Sequence, residues 1–220
     1  MAAPVSGAGE EIDRRFMAAA IRLSRRHLGL TGTNPSVGTL IVRVDSGGPV
    51  IVGSGVTALG GRPHAEPQAL EEAGGLARGA TAYVTLEPCA HHGRTPPCAE
   101  TLVSAGVARV VGAASDPDER VSGKGYAILR KAGIEVIEGV LAREAADLMA
   151  GYLMRSLRKR PEVTVKLAVS RDGRIGVAGM GQVAITGGIS RRQVHLMRAE
   201  ADAIMIGVGT AIADDPELTC

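Results

Sequence analysis

Apolar residues in this chain recur first at helical spacing and then in short β-branched runs. Ile12, Phe16, Ala19, Ala20 and Leu23, followed by His27 or Leu28, mark one face of an amphipathic helix over residues 10–30. Gly29 and the turn-forming stretch Thr31-Gly32-Thr33-Asn34-Pro35 stop it. Residues 37–44 and 50–56 are β-branched runs around Asp45-Ser46-Gly47-Gly48, which predicts a hairpin. A helix is expected over 64–76 after Pro63, a strand over 80–86, and a helix over 97–105 closed by Gly106. A strand over 108–113, a short helix over 125–132 and a strand over 134–137 follow. This alternation implies a sheet covered by helices.

The character changes after Leu141. A helix is expected over 141–157, then the basic Arg158-Lys159-Arg160 and Pro161, so residues 157–161 read as a linker. Beyond it come an expected strand at 161–169, a helix at 190–198 and a buried strand at 203–208. A strand, a helix and a strand cannot bury a core alone, so the second unit is expected to be incomplete at Cys220. The domains are therefore read as 8–145 and 161–220.

Composition adds limits. The apolar share of 45% and charged share of 22% are ordinary for a globular chain. With no Trp, one Phe and three Tyr, the core must be aliphatic, and stacking-based binding of single-stranded nucleic acid is disfavoured. A net charge of +2 is too small to suggest a polyanion partner. No apolar run is long enough for a membrane span, and residues 1–10 lack a basic-then-apolar signal pattern, so a cytoplasmic location is expected. Three cysteines point to metal binding, catalysis or plain core thiols rather than a disulfide framework.

Spacing decides among these. His64-Ala65-Glu66 opens a helix after Pro63, Pro88-Cys89 opens a loop, and Pro97-Cys98 begins the next helix. One His and two Cys supply the three protein ligands of a catalytic zinc, leaving a fourth position for water. The metal would lower the pKa of that water, and Glu66, two residues from a ligand, would take its proton and deliver it to the ring nitrogen and the departing ammonia. A structural zinc would use a fourth protein ligand, for which His91 or His92 stands nearby.

The loop between the cysteines carries a resemblance. Residues 85–100, TLEPCAHHGRTPPCAE, resemble the deaminase half of the bifunctional riboflavin-biosynthesis deaminase–reductase family, as do Asn34-Pro35-Ser36-Val37-Gly38, Gly61 to Glu66 and Asp116-Pro117-Asp118 before Gly123-Lys124-Gly125. The resemblance implies an α/β fold of the cytidine-deaminase type, three layers around a mixed five-stranded sheet, and deamination of a phosphoribosylated diaminopyrimidinone. It places Asn34 against ribose or base, and His91 and Arg94 against the substrate or its phosphate. Residues 165–173, VKLAVSRDG, and 190–220 are similar to the opening of the reductase half, an NADPH-binding fold of the dihydrofolate-reductase type. That similarity implies Val169, Thr210 and Asp214 by the cofactor, Arg198 and Leu218 near substrate, and a homo-oligomer. Thr57 stands where members often carry His, and Ala184 where they carry Trp. The expected function is zinc-dependent deamination with an incomplete reductase. The alternatives are a zinc deaminase acting on cytidine, guanine or tRNA adenosine, and a non-catalytic zinc-stabilised module.

Overall fold

The computed structural model describes residues 7–93, 95–118, 121–177 and 179–220. They fall into two units, Met1–Glu162 and Val163–Cys220. In the first unit the helical stripe of the N-terminal segment becomes α1 (Gly7–Ser24), which sets Phe16, Met17, Ala20 and Ile21 into the core. The hairpin forms as β1 (Gly38–Asp45) and β2 (Gly48–Val56), antiparallel, with a bulge between Ile41 and Val42. Then come α2 (Ala65–Ala73), β3 (Thr81–Leu86), α3 (Cys98–Ala105), β4 (Arg109–Ala114), α4 (Lys124–Lys131) and β5 (Glu135–Ile137). The sheet order is β2-β1-β3-β4-β5, with β1 antiparallel to both neighbours and β3, β4 and β5 parallel. It is the mixed five-stranded sheet expected from the sequence.

Two glycines bring α2 down onto the sheet. A Cβ on Gly55 would lie 2.0 Å from the Ala65 carbonyl oxygen, and one on Gly53 would lie 2.1 Å from that of Ala69. The β2 pattern Gly53-Ser54-Gly55 therefore keeps one face bare so that the α2 backbone can rest on it. Gly38, paired with Val56, faces the Ala20 carbonyl of α1 instead. Residues directly opposite in a ladder share a face, so α1 and α2 cover opposite faces and the unit has three layers. Gly55→Ala is expected to destabilise the unit by about 3 kcal/mol, because main chain rather than a mobile side chain must give way. Urea unfolding checks this; a loss under about 1 kcal/mol would mean that α2 can lift off freely.

A polar knot pins α1 to the sheet. Asp13, buried, accepts from Tyr83 Oη at 2.9 Å and from Arg109 Nη1 and Nη2, each at 2.7 Å. The Asp13 carboxylate holds the Arg109 guanidinium above its ordinary pKa, and burial, with Asp13 next, pushes the Tyr83 phenol up. The bidentate fork suits a partly buried pair because both charges keep their hydrogen bonds.

Three expectations change. The single helix read over 141–157 is two, α5 (Ala142–Leu148) and α6 (Ala150–Arg158), broken at Met149, whose φ of −106° and ψ of 18° leave the helical range. Met149 is buried at the break, and Gly151 lowers helix propensity just beyond it. Residues 157–161 are accordingly no free linker, since α6 and its cap belong to the first unit.

In the second unit the strands read at 161–169 and 203–208 do not form; its regular elements among the described residues are α7 (Gly188–Ala199) and α8 (Val208–Asp214). A strand is stable only with a ladder partner. Val163, Val165, Leu167 and Val169 keep their period-2 pattern, yet all are exposed, and Met205 is 91% exposed where a buried strand was expected. The Ser170–Gly173 turn does form, closed by Gly173 N–H donating to the Ser170 carbonyl at 3.0 Å. Among the described residues no helix is long and apolar enough to cross a membrane.

Candidate active site

His64 caps α2, its extended backbone (φ −66°, ψ 170°) ending the approach from Pro63. Cys98 is the first residue of α3, behind Pro97. Cys89 follows β3 by three residues. The fold thus delivers one ligand from the start of each of two helices and one from the carboxyl end of a central strand. His64 Nδ1 lies 3.4 Å from Cys98 Sγ and 3.9 Å from Cys89 Sγ. All three donor atoms lie within 4.8 Å of one another. The edges of a tetrahedral zinc site with one nitrogen and two sulfurs are roughly 3.5–3.8 Å, so the donors fit zinc with little adjustment.

The electrostatics of the triad suit a metal too. Cys89 is pulled down to about 4, first by its hydrogen bond with the Cys98 thiol and then by His64, against burial. The Cys98 backbone N–H also donates to Cys89 Sγ at 3.2 Å. Cys98 is pushed far up, chiefly because its thiol donates a hydrogen bond to the Cys89 thiolate and secondly by burial. His64 is raised by its hydrogen bond with Cys89, burial opposing. One thiolate is therefore ready, whereas the second ligand must lose a proton when a dication enters. Zinc uptake by the apoprotein near neutral pH is expected to release about one to two protons. Calorimetry in buffers of different ionisation enthalpy measures this, and a release near zero would mean that both thiols are already ionised.

Glu66 sits on the first turn of α2, 4% exposed, and is not part of the triad. Burial, with the Cys89 charge second, raises its carboxyl above the ordinary carboxylate range. It lines a cavity of about 770 Å³ that His64 and Cys89 also line. A base that is not a ligand, beside a ligand set with an open side, is the arrangement that water activation requires.

Asn34 and His91 line the same cavity. Asn34 Nδ2 donates to the Gly61 carbonyl at 3.2 Å. His91 Nδ1 is buried and has no partner among the described residues, so a donor or acceptor there awaits a ligand. His92 turns away to Glu100 at 3.4 Å with its side chain 72% exposed, and neither histidine joins the metal group. Arg94 lies outside the described residues. Thr57 is buried at the cavity wall, its Oγ1 accepting from Val37 N–H at 2.9 Å.

The residues expected in a reductase site behave differently. Val169, Thr210 and Asp214 are exposed, the first outside any regular element and the others on α8. Arg198, in the last turn of α7, donates from Nη1 to the Thr219 carbonyl at 3.0 Å, which brings it near Leu218. No described residue of this unit is buried, so these side chains alone offer a dinucleotide no enclosed cradle.

Several cavity residues escaped the sequence reading. Glu87 accepts from the N–H groups of Gly123 and Gly125, each at 3.1 Å, tying the strand end to the start of α4. Tyr152, Arg155, Ser156 and Lys159 line the cavity from α6 and its cap. Their spacing of three, four and seven residues was a readable signal of one helix face. Tyr152, Arg155 and Ser156 lie within the helix expected over 141–157, and only Lys159 falls in the expected linker.

Comparison with known proteins adds the following. Residues 10–114 match the cytidine and deoxycytidylate deaminase zinc-binding region, and residues 161–220 match the RibD C-terminal domain. The chain is 46% identical over 207 residues to the riboflavin biosynthesis protein RibD of Escherichia coli (strain K12), covering 94% of this chain and 55% of that protein. Its fold superposes on Acinetobacter baumannii RibD with a TM-score of 0.86 at 47% identity, covering 95% of this chain and 58% of that one. It also matches a diaminohydroxyphosphoribosylaminopyrimidine deaminase/5-amino-6-(5-phosphoribosylamino)uracil reductase from Thermotoga maritima, with a TM-score of 0.87 at 40% identity, covering 96% of this chain and 60% of that one. The chain spans about half the length of the curated relatives it matches.

Proposed function

We propose that this chain, similar to the riboflavin biosynthesis proteins RibD over the part of them that it spans, is a zinc-dependent hydrolytic deaminase of the phosphoribosylated diaminopyrimidinone of riboflavin synthesis. The observation that carries the reading is the convergence of His64, Cys89 and Cys98 with the buried Glu66 on one cavity. When bound, zinc supplies Lewis acidity, making water a nucleophile near neutral pH. Glu66 accepts one proton of the attacking water and passes it to the ring nitrogen, then takes the proton of the resulting hydroxyl and passes it to the amino group, which leaves as ammonia as the carbonyl forms. Asn34 and the Nδ1 of His91, which has no partner among the described residues, orient the pyrimidine. Arg94 is assigned a contact with the substrate or its phosphate on the family motif alone.

The deaminase part comprises residues 8–145 together with α6, whose side chains line the same cavity. Residues 161–220 are the N-terminal portion of a reductase domain, and no reductase step is derived from them. The protein is assigned to the cytoplasm and to a homo-oligomer.

The test is to load the purified protein with zinc and follow ammonia release from the phosphoribosyl diaminopyrimidinone. Release from that compound in preference to cytidine supports the proposal. Zinc-loaded protein that releases no ammonia overturns it, and release from cytidine alone assigns the site to another deaminase class.

A further inference from the structure

The α6 face that lines the cavity carries a charge pattern the deamination chemistry does not use. Tyr152 Oη donates to Asp116 Oδ1 at 2.8 Å, and one turn later Arg155 Nη2 donates to the Thr33 carbonyl at 2.7 Å. The helix thereby bolts together the loop that bears Asn34 and the loop that bears Asp116. Arg155 also packs its guanidinium 5.8 Å from the Tyr152 ring centroid, which fixes the plane of the fork. With one N–H given to Thr33, the other donors of the guanidinium remain to bind an anion.

Lys159 adds a second cation to this wall. It occupies the helix C-cap with φ 55° and ψ 35°, a left-handed position where glycine costs nothing and a lysine is strained. Its backbone N–H closes the turn on the Arg155 carbonyl at 3.0 Å. A side chain kept where glycine would cap better is a place to look for function. From Tyr152 to Lys159 the helix rises about 10 Å, enough to span a sugar phosphate.

The rest of the lining has the opposite sign. Asp116, Asp118, Glu87 and Glu66 all line the cavity, and among the described lysines and arginines that line it only Arg62 lies off α6. A dianion is therefore disfavoured over most of the space and favoured at the C-terminal turn of α6. We propose that Arg155 and Lys159 form the subsite for a phosphate monoester at the tail of the substrate, with the Asp116–Tyr152 pair forming the wall beside its hydroxyl-bearing middle. This rests on the reading that the amine-bearing ring is processed at Glu66. The role it adds is discrimination between phosphorylated and unphosphorylated pyrimidines by the helix that joins this unit to the next residues of the chain.

Lys159→Gly separates the role from a structural one. Glycine relieves the left-handed cap, so thermal stability is expected to hold or rise. The preference in kcat/KM for the phosphorylated pyrimidine over its dephosphorylated form is expected to fall at least tenfold, and further with Arg155→Gln added. A preference unchanged in the double variant overturns the subsite while leaving the deaminase reading intact. If the zinc-loaded protein turns over neither compound, binding decides: calorimetry with ribose 5-phosphate and with ribose on wild type and double variant. Binding of ribose 5-phosphate that the double variant loses upholds the subsite even though the deaminase reading has failed. No binding to wild type, or equal binding to both, overturns it.

Discussion

Glu66→Gln should lower the rate of ammonia release by about a thousandfold or more while zinc content stays at the wild-type level. The amide has the shape of the carboxylate and can hold a hydrogen bond, but it cannot accept the proton of the attacking water or return it to nitrogen. Because Glu66 stands outside the His64–Cys89–Cys98 group, its neutralisation leaves the metal ligands in place. Burying an amide instead of a carboxyl whose charged form is already disfavoured there should not weaken the fold. A thousandfold loss corresponds to about 4 kcal/mol of transition-state stabilisation. Less than a tenfold loss would remove Glu66 from the proton path, and loss of zinc would make it a ligand instead.

That prediction depends on the first turn of α2, which was legible in the sequence. His64-Ala65-Glu66 after Pro63 sets a helix start, and a helix start fixes where residues one and three can point. Cys89 and Cys98 were equally legible, since each follows a proline where the chain must change course. The hairpin and central strands were visible for a related reason. Their β-branched runs are bounded by Gly and Pro, and β1 finds its first ladder partner, β2, directly across the turn at residues 46–47.

What the sequence hid depends on contacts between distant segments. Glu87 looked like a neighbour of a ligand, but its role is set by the Gly123 and Gly125 amides more than thirty residues on. Tyr152 and Arg155 read as ordinary helix surface, and only the folded chain brings Asp116 and Thr33 to them. In the second unit the failure ran the other way. Residues 163–169 alternate as a strand should, but alternation specifies which face is buried only when a sheet is present to bury it.

Cys89→Ser should abolish tight zinc binding and lower the melting temperature by roughly 10 °C in zinc-containing buffer. The serine hydroxyl does not ionise near neutral pH and is a poor zinc ligand, so the site falls to two protein donors. A metal at a thousand times its dissociation constant contributes about 4 kcal/mol to the folded state, and for a chain of this size each kcal/mol corresponds to about 2–4 °C. The sulfur also accepts the Cys98 N–H and shares the Cys98 thiol proton, so the start of α3 loses an anchor in addition to the metal. Wild type stripped by a chelator provides the control: its melting temperature should fall most of the way to that of the variant, and zinc should restore the wild type alone. Equal zinc occupancy in wild type and variant would take Cys89 out of the ligand set. An unchanged melting temperature despite lost zinc would show that β3 and the two helix starts hold the site open without the metal. Loss of a single N–H···S bond costs about 1 kcal/mol, well below the contribution of the metal. Most of the 10 °C should therefore come from the bound metal itself, with the remainder from the lost N–H···S bond.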